Sequence, residues 1–108
     1  MTEDQAILLA QHPQDIKSPA EVNEILMYLG EYLNILVAEE WELRLVASQE
    51  KVRLLNVKDK TNALAKAEFE ISTEYINWQN KLHQLRKFRA YKSDLKDKFN
   101  VLAMRKFQ

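Results

Sequence analysis

Cysteine is absent from the 108 residues, which excludes disulfides, thiolate zinc sites and cysteine nucleophiles together. Glycine is nearly so: Gly30 stands alone, and a glycine-rich phosphate loop cannot be built from one residue. The two prolines, Pro13 and Pro19, both fall early, so from Glu31 to Gln108 neither glycine nor proline interrupts a helix. Long apolar runs are missing as well; no stretch approaches the roughly 18 uncharged apolar residues that a membrane span needs. The first eleven residues carry Glu3 and Asp4 and too short an apolar run for a secretory signal. These absences predict a cytoplasmic protein without a membrane role.

What the chain does have is charge and amphipathic pattern. Charged residues make up 30% of it and apolar ones 46%, a combination produced by long, well-solvated helices around a modest single core. The net charge of zero hides an asymmetry. Residues 1–50 hold ten acids against Lys17 and Arg44, a net of −8, and residues 51–108 hold fourteen bases against six acids, a net of +8.

Thr2 and Gln5 have capping-box spacing ahead of an apolar run, predicting a short helix over about 3–11 that His12-Pro13 ends. Ser18-Pro19-Ala20-Glu21 combines an N-cap, a proline at the first helical position and an acid able to reach back. The long helix it opens, about 19–57, carries Val22, Ile25, Leu26, Leu29, Tyr32, Leu33, Leu36 and Val37 at helical spacing. Beyond Val37 the stripe is expected to shift around the cylinder to Trp41, Leu45, Val52 and Leu55. Asn56, Asp59, Thr61 and Asn62 mark a turn. A second long helix, about 61–106, then carries Leu64, Ala67, Ile71, Tyr75, Trp78, Leu82, Leu85 and Phe88 and continues through Tyr91, Leu95, Phe99 and Leu102. Ser93-Asp94 is its one candidate break, with continuity favoured.

The predicted fold is therefore all-α: a long antiparallel hairpin with a short N-terminal helix, belonging to an oligomeric helical bundle or coiled coil. With the turn centred near Asp59, facing residues have numbers adding to about 119, which sets Trp41 opposite Trp78 and Glu31 opposite Phe88. The acids Glu21, Glu24, Glu31, Glu39 and Glu42 then run along the cations of the returning helix. Two helices bury one stripe each, and the apolar residues left over predict self-association. The expected interface comprises Leu29, Leu36, Trp41, Leu45, Trp78, Leu82, Leu85 and Phe88.

Candidate chemistry is thin. His12 and His83 have no metal-ligand spacing, and no serine sits in a nucleophile elbow. The carboxylates Glu39, Glu40 and Glu42, and Asp94 with Asp97, read as ion-paired helix faces, except that Glu40 falls on the apolar stripe four residues before Arg44. Trp41 and Trp78 read as core or interface anchors ahead of a ligand box. No catalytic residue, cofactor, metal or small-molecule substrate is expected. The alternative to a packing role is nucleic-acid binding by Lys81, Arg86, Lys87, Arg89, Lys92, Lys96 and Lys98, interleaved with Phe88, Tyr91 and Phe99. Neutralisation of the acidic helix is the simpler use of those cations.

The stretch from Glu39 to Leu102 resembles small helical proteins encoded by tailed phages and prophages. The likeness lies in EEWELRLVASQEKVRLL and in DKTNALAKAEFEISTEYINWQNKLHQLRKFRAYKSDLKDKFNVL, where an Ala-Glu pair precedes a spaced tyrosine and a leucine-and-arginine seam. Some of those proteins lie among recombination or replication genes, so the resemblance implies a non-enzymatic accessory role in the host cytoplasm and no site residues. Three functions follow as expectations: a helical interaction or assembly protein, a nucleic-acid-binding accessory factor, and an inhibitor of a host protein.

Overall fold

The computed structural model describes residues 1–106 and contains, among them, four α-helices and no strand. Helix α1 spans Glu3–Gln11, and a 3-10 turn follows at Pro13–Asp15. Helix α2 spans Pro19–Leu55, α3 Asn62–Glu70 and α4 Thr73–Lys106, with α2 packing against α4 as a hairpin. No helix among the described residues is long and apolar enough to cross a membrane.

The local signals act as their chemistry requires. Thr2 Oγ1 accepts from the Gln5 amide at 3.2 Å while the Gln5 side chain accepts from the Thr2 amide at 2.9 Å, closing the capping box. Ser18 Oγ accepts from the Glu21 amide at 3.3 Å, and the Glu21 carboxylate reaches back to the Lys17 amide, one residue before the cap. After α2 the chain turns through residues 56–61, where Asp59 adopts φ 65°. Aspartate tolerates that left-handed geometry better than most residues because its short polar side chain bonds locally.

Contacts divide the chain into two units, residues 1–35 with 86–108, and residues 36–85. In the first unit Val22, Ile25, Leu29 and Leu95 are fully buried, with Ala6, Ala10, Ile16, Leu33 and Phe88 nearly so. Tyr32 meets Phe88 edge to face at 4.9 Å. The N-terminus is tied down by an ion pair from Met1 to Glu24 and by the Tyr28 hydroxyl donating to the Met1 carbonyl at 2.9 Å. In the second unit Ala47 and Leu54 of α2 pack with Ala65 and Phe69 of α3, and Tyr75 and Trp78 of α4 close over them.

Two differences from the predicted second helix have a common origin. The helix is interrupted at Ile71-Ser72, and past that point α4 runs unbroken through Ser93. Ser72 is the cause: its hydroxyl donates to the Phe69 carbonyl at 2.6 Å and accepts from the Tyr75 amide at 3.2 Å, ending one helix and capping the next. Freed from the phase of α4, α3 buries Ala65 and Phe69, whereas Leu64, Ala67 and Ile71, expected on the seam, are exposed.

Gly30 sits in the interior of α2, and a Cβ built on it meets nothing within 4 Å. Gly30→Ala should therefore raise stability by about 1 kcal/mol, the helix-propensity difference. Thermal unfolding by circular dichroism would show this as a midpoint several degrees higher, and a lower midpoint would mean that the position is crowded.

Candidate interaction surface

Helix α2 is apolar on two opposite faces. The inner face does not shift around the cylinder at Val37 as expected. It continues at steps of four, three and four through Leu36, Glu40, Leu43 and Ala47 and, two turns further, Leu54; of these only Leu43 is more than marginally exposed. The larger residues Trp41, Leu45, Val52 and Leu55 form a separate outer stripe, exposed by 55, 48, 57 and 45%. Ala38 and Ser48, also exposed, complete it as a run at 38, 41, 45, 48, 52 and 55. That is the 3-4 spacing of a coiled-coil seam, here without a helix against it among the described residues of its unit.

The charge on the inner face is held by two neighbours. Glu40, only 7% exposed, accepts a hydrogen bond from Trp78 Nε1 at 3.0 Å and pairs with Arg44 Nε at 3.6 Å. Arg44 also lies 4.5 Å from the centroid of the Trp41 ring. One guanidinium thus joins the buried carboxylate to the outermost aromatic of the seam. The i, i+4 pairing of Glu40 with Arg44 is the one the spacing suggests.

Within the second unit Lys81 Nζ meets Glu39 at 2.5 Å and the Gln84 side chain at 3.3 Å. The pairs Glu39–Lys81 and Glu40–Trp78, and Tyr32–Phe88 in the first unit, have numbers adding to 118–120. The register thus follows the predicted 119, but rotated by one residue. Trp41 points away, and Glu40 takes the place opposite Trp78, because adjacent residues on a helix lie about 100° apart.

The expected interface residues separate accordingly. Leu29 and Phe88 are buried in the first unit, and Leu36 and Leu85 in the second; Leu82 and Trp78 are half-buried. Those four buried side chains pack within the chain and are not free to meet a partner. Trp41 and Leu45 remain, and the outer stripe adds Val52 and Leu55 to them.

The basic segment behaves differently from its expected pairing. Apart from Lys81, none of its candidate cations, Arg86, Lys87, Arg89, Lys92, Lys96 and Lys98, lies within 4.0 Å of a described carboxylate. Lys87 stands 5.9 Å from the Tyr91 ring. Alternate cations flank both sides of the buried row Leu85, Phe88 and Leu95. They do not form one track: at about 100° per residue Arg86, Arg89 and Lys96 fall on one side of that row, and Lys87 and Lys98 on the other.

No known protein family, no curated protein and no solved structure matches the chain.

His12 and His83 are both exposed, and no group of three His, Cys, Asp or Glu able to hold a metal ion occurs among the described residues. Glu42, Asp94 and Asp97 are solvated. On the surface of α2, hydrogen bonds from Arg53 Nε and Nη2, at 2.9 and 2.6 Å, hold the Glu50 carboxyl below its ordinary range, and Glu50 raises Arg53 in return. Lys60 pairs with Glu68, joining the turn to α3.

Residues that the sequence reading passed over are Phe69, Lys51 and Lys66, which share a cleft in the second unit with Tyr75 and Trp78, read there as positions of the helical seam. The available signal was Ser72-Thr73-Glu74, a helix start with an acid in its first turn. It separates α3 from α4 and so folds Phe69 back towards Tyr75.

Proposed function

We propose that this chain is a non-catalytic helical interaction protein that associates with further copies of itself through the outer seam of α2. The observation that carries this reading is the row Ala38, Trp41, Leu45, Val52 and Leu55, apolar, exposed and spaced as a seam, on the side of α2 away from its own core. Apolar rows of this kind are a liability in a monomer and a docking surface in an assembly. Flanking charges favour a parallel arrangement. Arg44 and Lys51 line one edge of the seam, and Glu42 and Gln49 the other. Parallel copies set the cationic edge beside the edge of Glu42 and Gln49, whereas antiparallel copies set cation beside cation. A cytoplasmic accessory role of phage or prophage type, as the resemblance implies, accords with such an activity.

The test is sedimentation equilibrium on the natural chain and on Trp41→Glu/Leu45→Glu. Both side chains are already half exposed, so helicity should be retained while association weakens by at least a hundred-fold. Because the chain has no cysteine, Leu45→Cys adds a single thiol per copy, and an added two-electron oxidant such as oxidised glutathione should then join two parallel copies at the same level by a disulfide. A natural chain that stays monomeric at every concentration, with no partner co-purifying from its native cell, would remove the proposal.

A second reading, a nucleic-acid-binding accessory factor, draws on the six cations of the first unit that lack a carboxylate partner. Arg89, Lys92 and Lys96 lie on one flank of α4, so Arg89→Ala/Lys92→Ala/Lys96→Ala should abolish retardation of DNA at low salt. The natural chain should show a steep salt dependence, with a slope near −0.9 per neutralised phosphate. Absence of retardation at low salt would eliminate this reading and leave the first untouched.

A further inference from the structure

The second unit has a feature that association through the outer seam leaves unused. A cleft of about 490 Å³ opens between the end of α2, α3 and the first turns of α4, a volume within the range of small-molecule sites. Its lining is aromatic. Phe69, Tyr75 and Trp78 follow one another edge to face, with centroids 5.0 and 6.1 Å apart, and Ala65 adds a small apolar surface beside them. The Trp78 N–H is already committed to Glu40, so what this residue contributes to the cleft is apolar ring.

The polar part of the lining has a definite sign. Lys51 and Lys66 both belong to it, and neither lies within 4.0 Å of a described carboxylate. The Lys51 ammonium is 5.9 Å from the Phe69 ring centroid, which sets it over the aromatic surface. The Tyr75 hydroxyl and the Gln79 and Asn62 amides make no side-chain hydrogen bond among the described residues, leaving neutral groups to orient a bound molecule. One carboxylate, Glu70, shares the lining. Two ammonium groups against one carboxylate leave a single positive charge, which suits a monoanion and disfavours a polyphosphate.

We propose that this cleft binds a small amphipathic monoanion, with an aromatic body against Phe69, Tyr75 and Trp78 and a carboxylate or sulfonate at Lys51 and Lys66. Aromatic stacking supplies the apolar contact. The cations supply the choice of charge: a neutral analogue leaves both ammonium groups without a counter-charge, and a cationic one meets them directly. The cleft shares with the outer seam Leu55 and the flanking Lys51, and its other lining residues lie off the seam.

The probe is 1-anilinonaphthalene-8-sulfonate, an aromatic monoanion, titrated into the full chain carrying Trp41→Phe so that Trp78 is the sole tryptophan. The dye should bind saturably at one site per chain and quench Trp78. Lys51→Glu/Lys66→Glu, confined to exposed side chains, should weaken it at least ten-fold, as should replacing the dye by uncharged N-phenyl-1-naphthylamine. Leu45→Glu, on the seam, should leave binding unchanged. The proposal is overturned if binding is unsaturable or absent, if charge reversal of the two lysines has no effect, or if the seam variant alone abolishes binding. Failure here would not touch the association of copies, which is read from mass.

Discussion

Truncating Leu95 to alanine should cost about 3 kcal/mol of stability, the usual penalty for opening a leucine-sized cavity in a well-packed core. Leu95 has no exposed surface, and Val22, Ile25 and Leu29 of the same unit are equally enclosed. Small domains have only about 5–15 kcal/mol of stability in total, so this single change removes a large part of it. Leu8, 58% exposed, is the control: Leu8→Ala should stay within about 0.5 kcal/mol of the natural chain. Urea unfolding followed by circular dichroism separates the two. Because Leu95 lies beyond Ser93, the result also reports on α4 as one helix. Equal midpoints for Leu95→Ala and Leu8→Ala would mean that the chain after Ser93 is not part of the core.

The buried carboxylate should produce the second large effect, with a pattern that simple burial of apolar area does not predict. Glu40→Ala removes the acceptor for Trp78 Nε1 and the partner of Arg44, and should cost about 1–3 kcal/mol, the penalty for a hydrogen-bonding group left unsatisfied. Trp78→Phe leaves the carboxylate enclosed with Arg44 as its only neighbour of opposite charge, and should cost at least as much. The double variant Glu40→Met/Trp78→Phe replaces both by apolar groups of similar size. It should recover most of the loss, because an apolar pair of matching volume often equals or exceeds a buried polar one. Strictly additive penalties across the cycle closed by the single variants Glu40→Met and Trp78→Phe would show that the two side chains do not interact. The pair also has a positional consequence. Sliding α2 along α4 by one turn would leave Glu40 without its indole donor, so one buried polar contact discriminates against the neighbouring registers.

Much of the fold was legible in the residues because the signals concerned are local. The Thr2/Gln5 box, the Ser18-Pro19 start and the turn around Asp59 each depend on a few neighbours along the chain, and each occurs where its chemistry places it. The register near 119 was legible too, since equal rise in two helices follows from where the turn lies. The break at Ser72 was less so. Ser72 and Ser93 each precede an acid by one or two residues. The difference is that Ser72 can bond the Phe69 carbonyl while Phe69 and Ala65 find a core to enter; Ser93 sits on a helix whose buried row continues through Leu95.

The two faces of α2 could not be ranked from sequence. Size and hydrophobicity favour Trp41, Leu45, Val52 and Leu55 as the buried row. The row that is buried holds Ala47, a charged Glu40 and Leu54. Helix α3 explains the outcome: it brings Phe69 onto Ala47 and Leu54, where a small residue on α2 admits an aromatic ring, and Trp78 supplies a donor for Glu40. The pairing of acidic and basic halves met a similar limit. Opposite net charges on two helices constrain their order and direction, yet exposed pairs contribute only about 0–1 kcal/mol each. Among the basic candidates only Lys81 lies within 4.0 Å of a described carboxylate.

The residues alone determined that this protein is helical, where its first helices begin, where it turns and in which register it returns, because those follow from capping, backbone geometry and period. Only the tertiary structure decided which of two apolar faces of α2 is enclosed, and that Phe69, Tyr75 and Trp78 share one cleft. Burial is a property of what lies opposite a side chain, and a one-dimensional pattern carries the angle of a residue around its helix but not the neighbour it will meet.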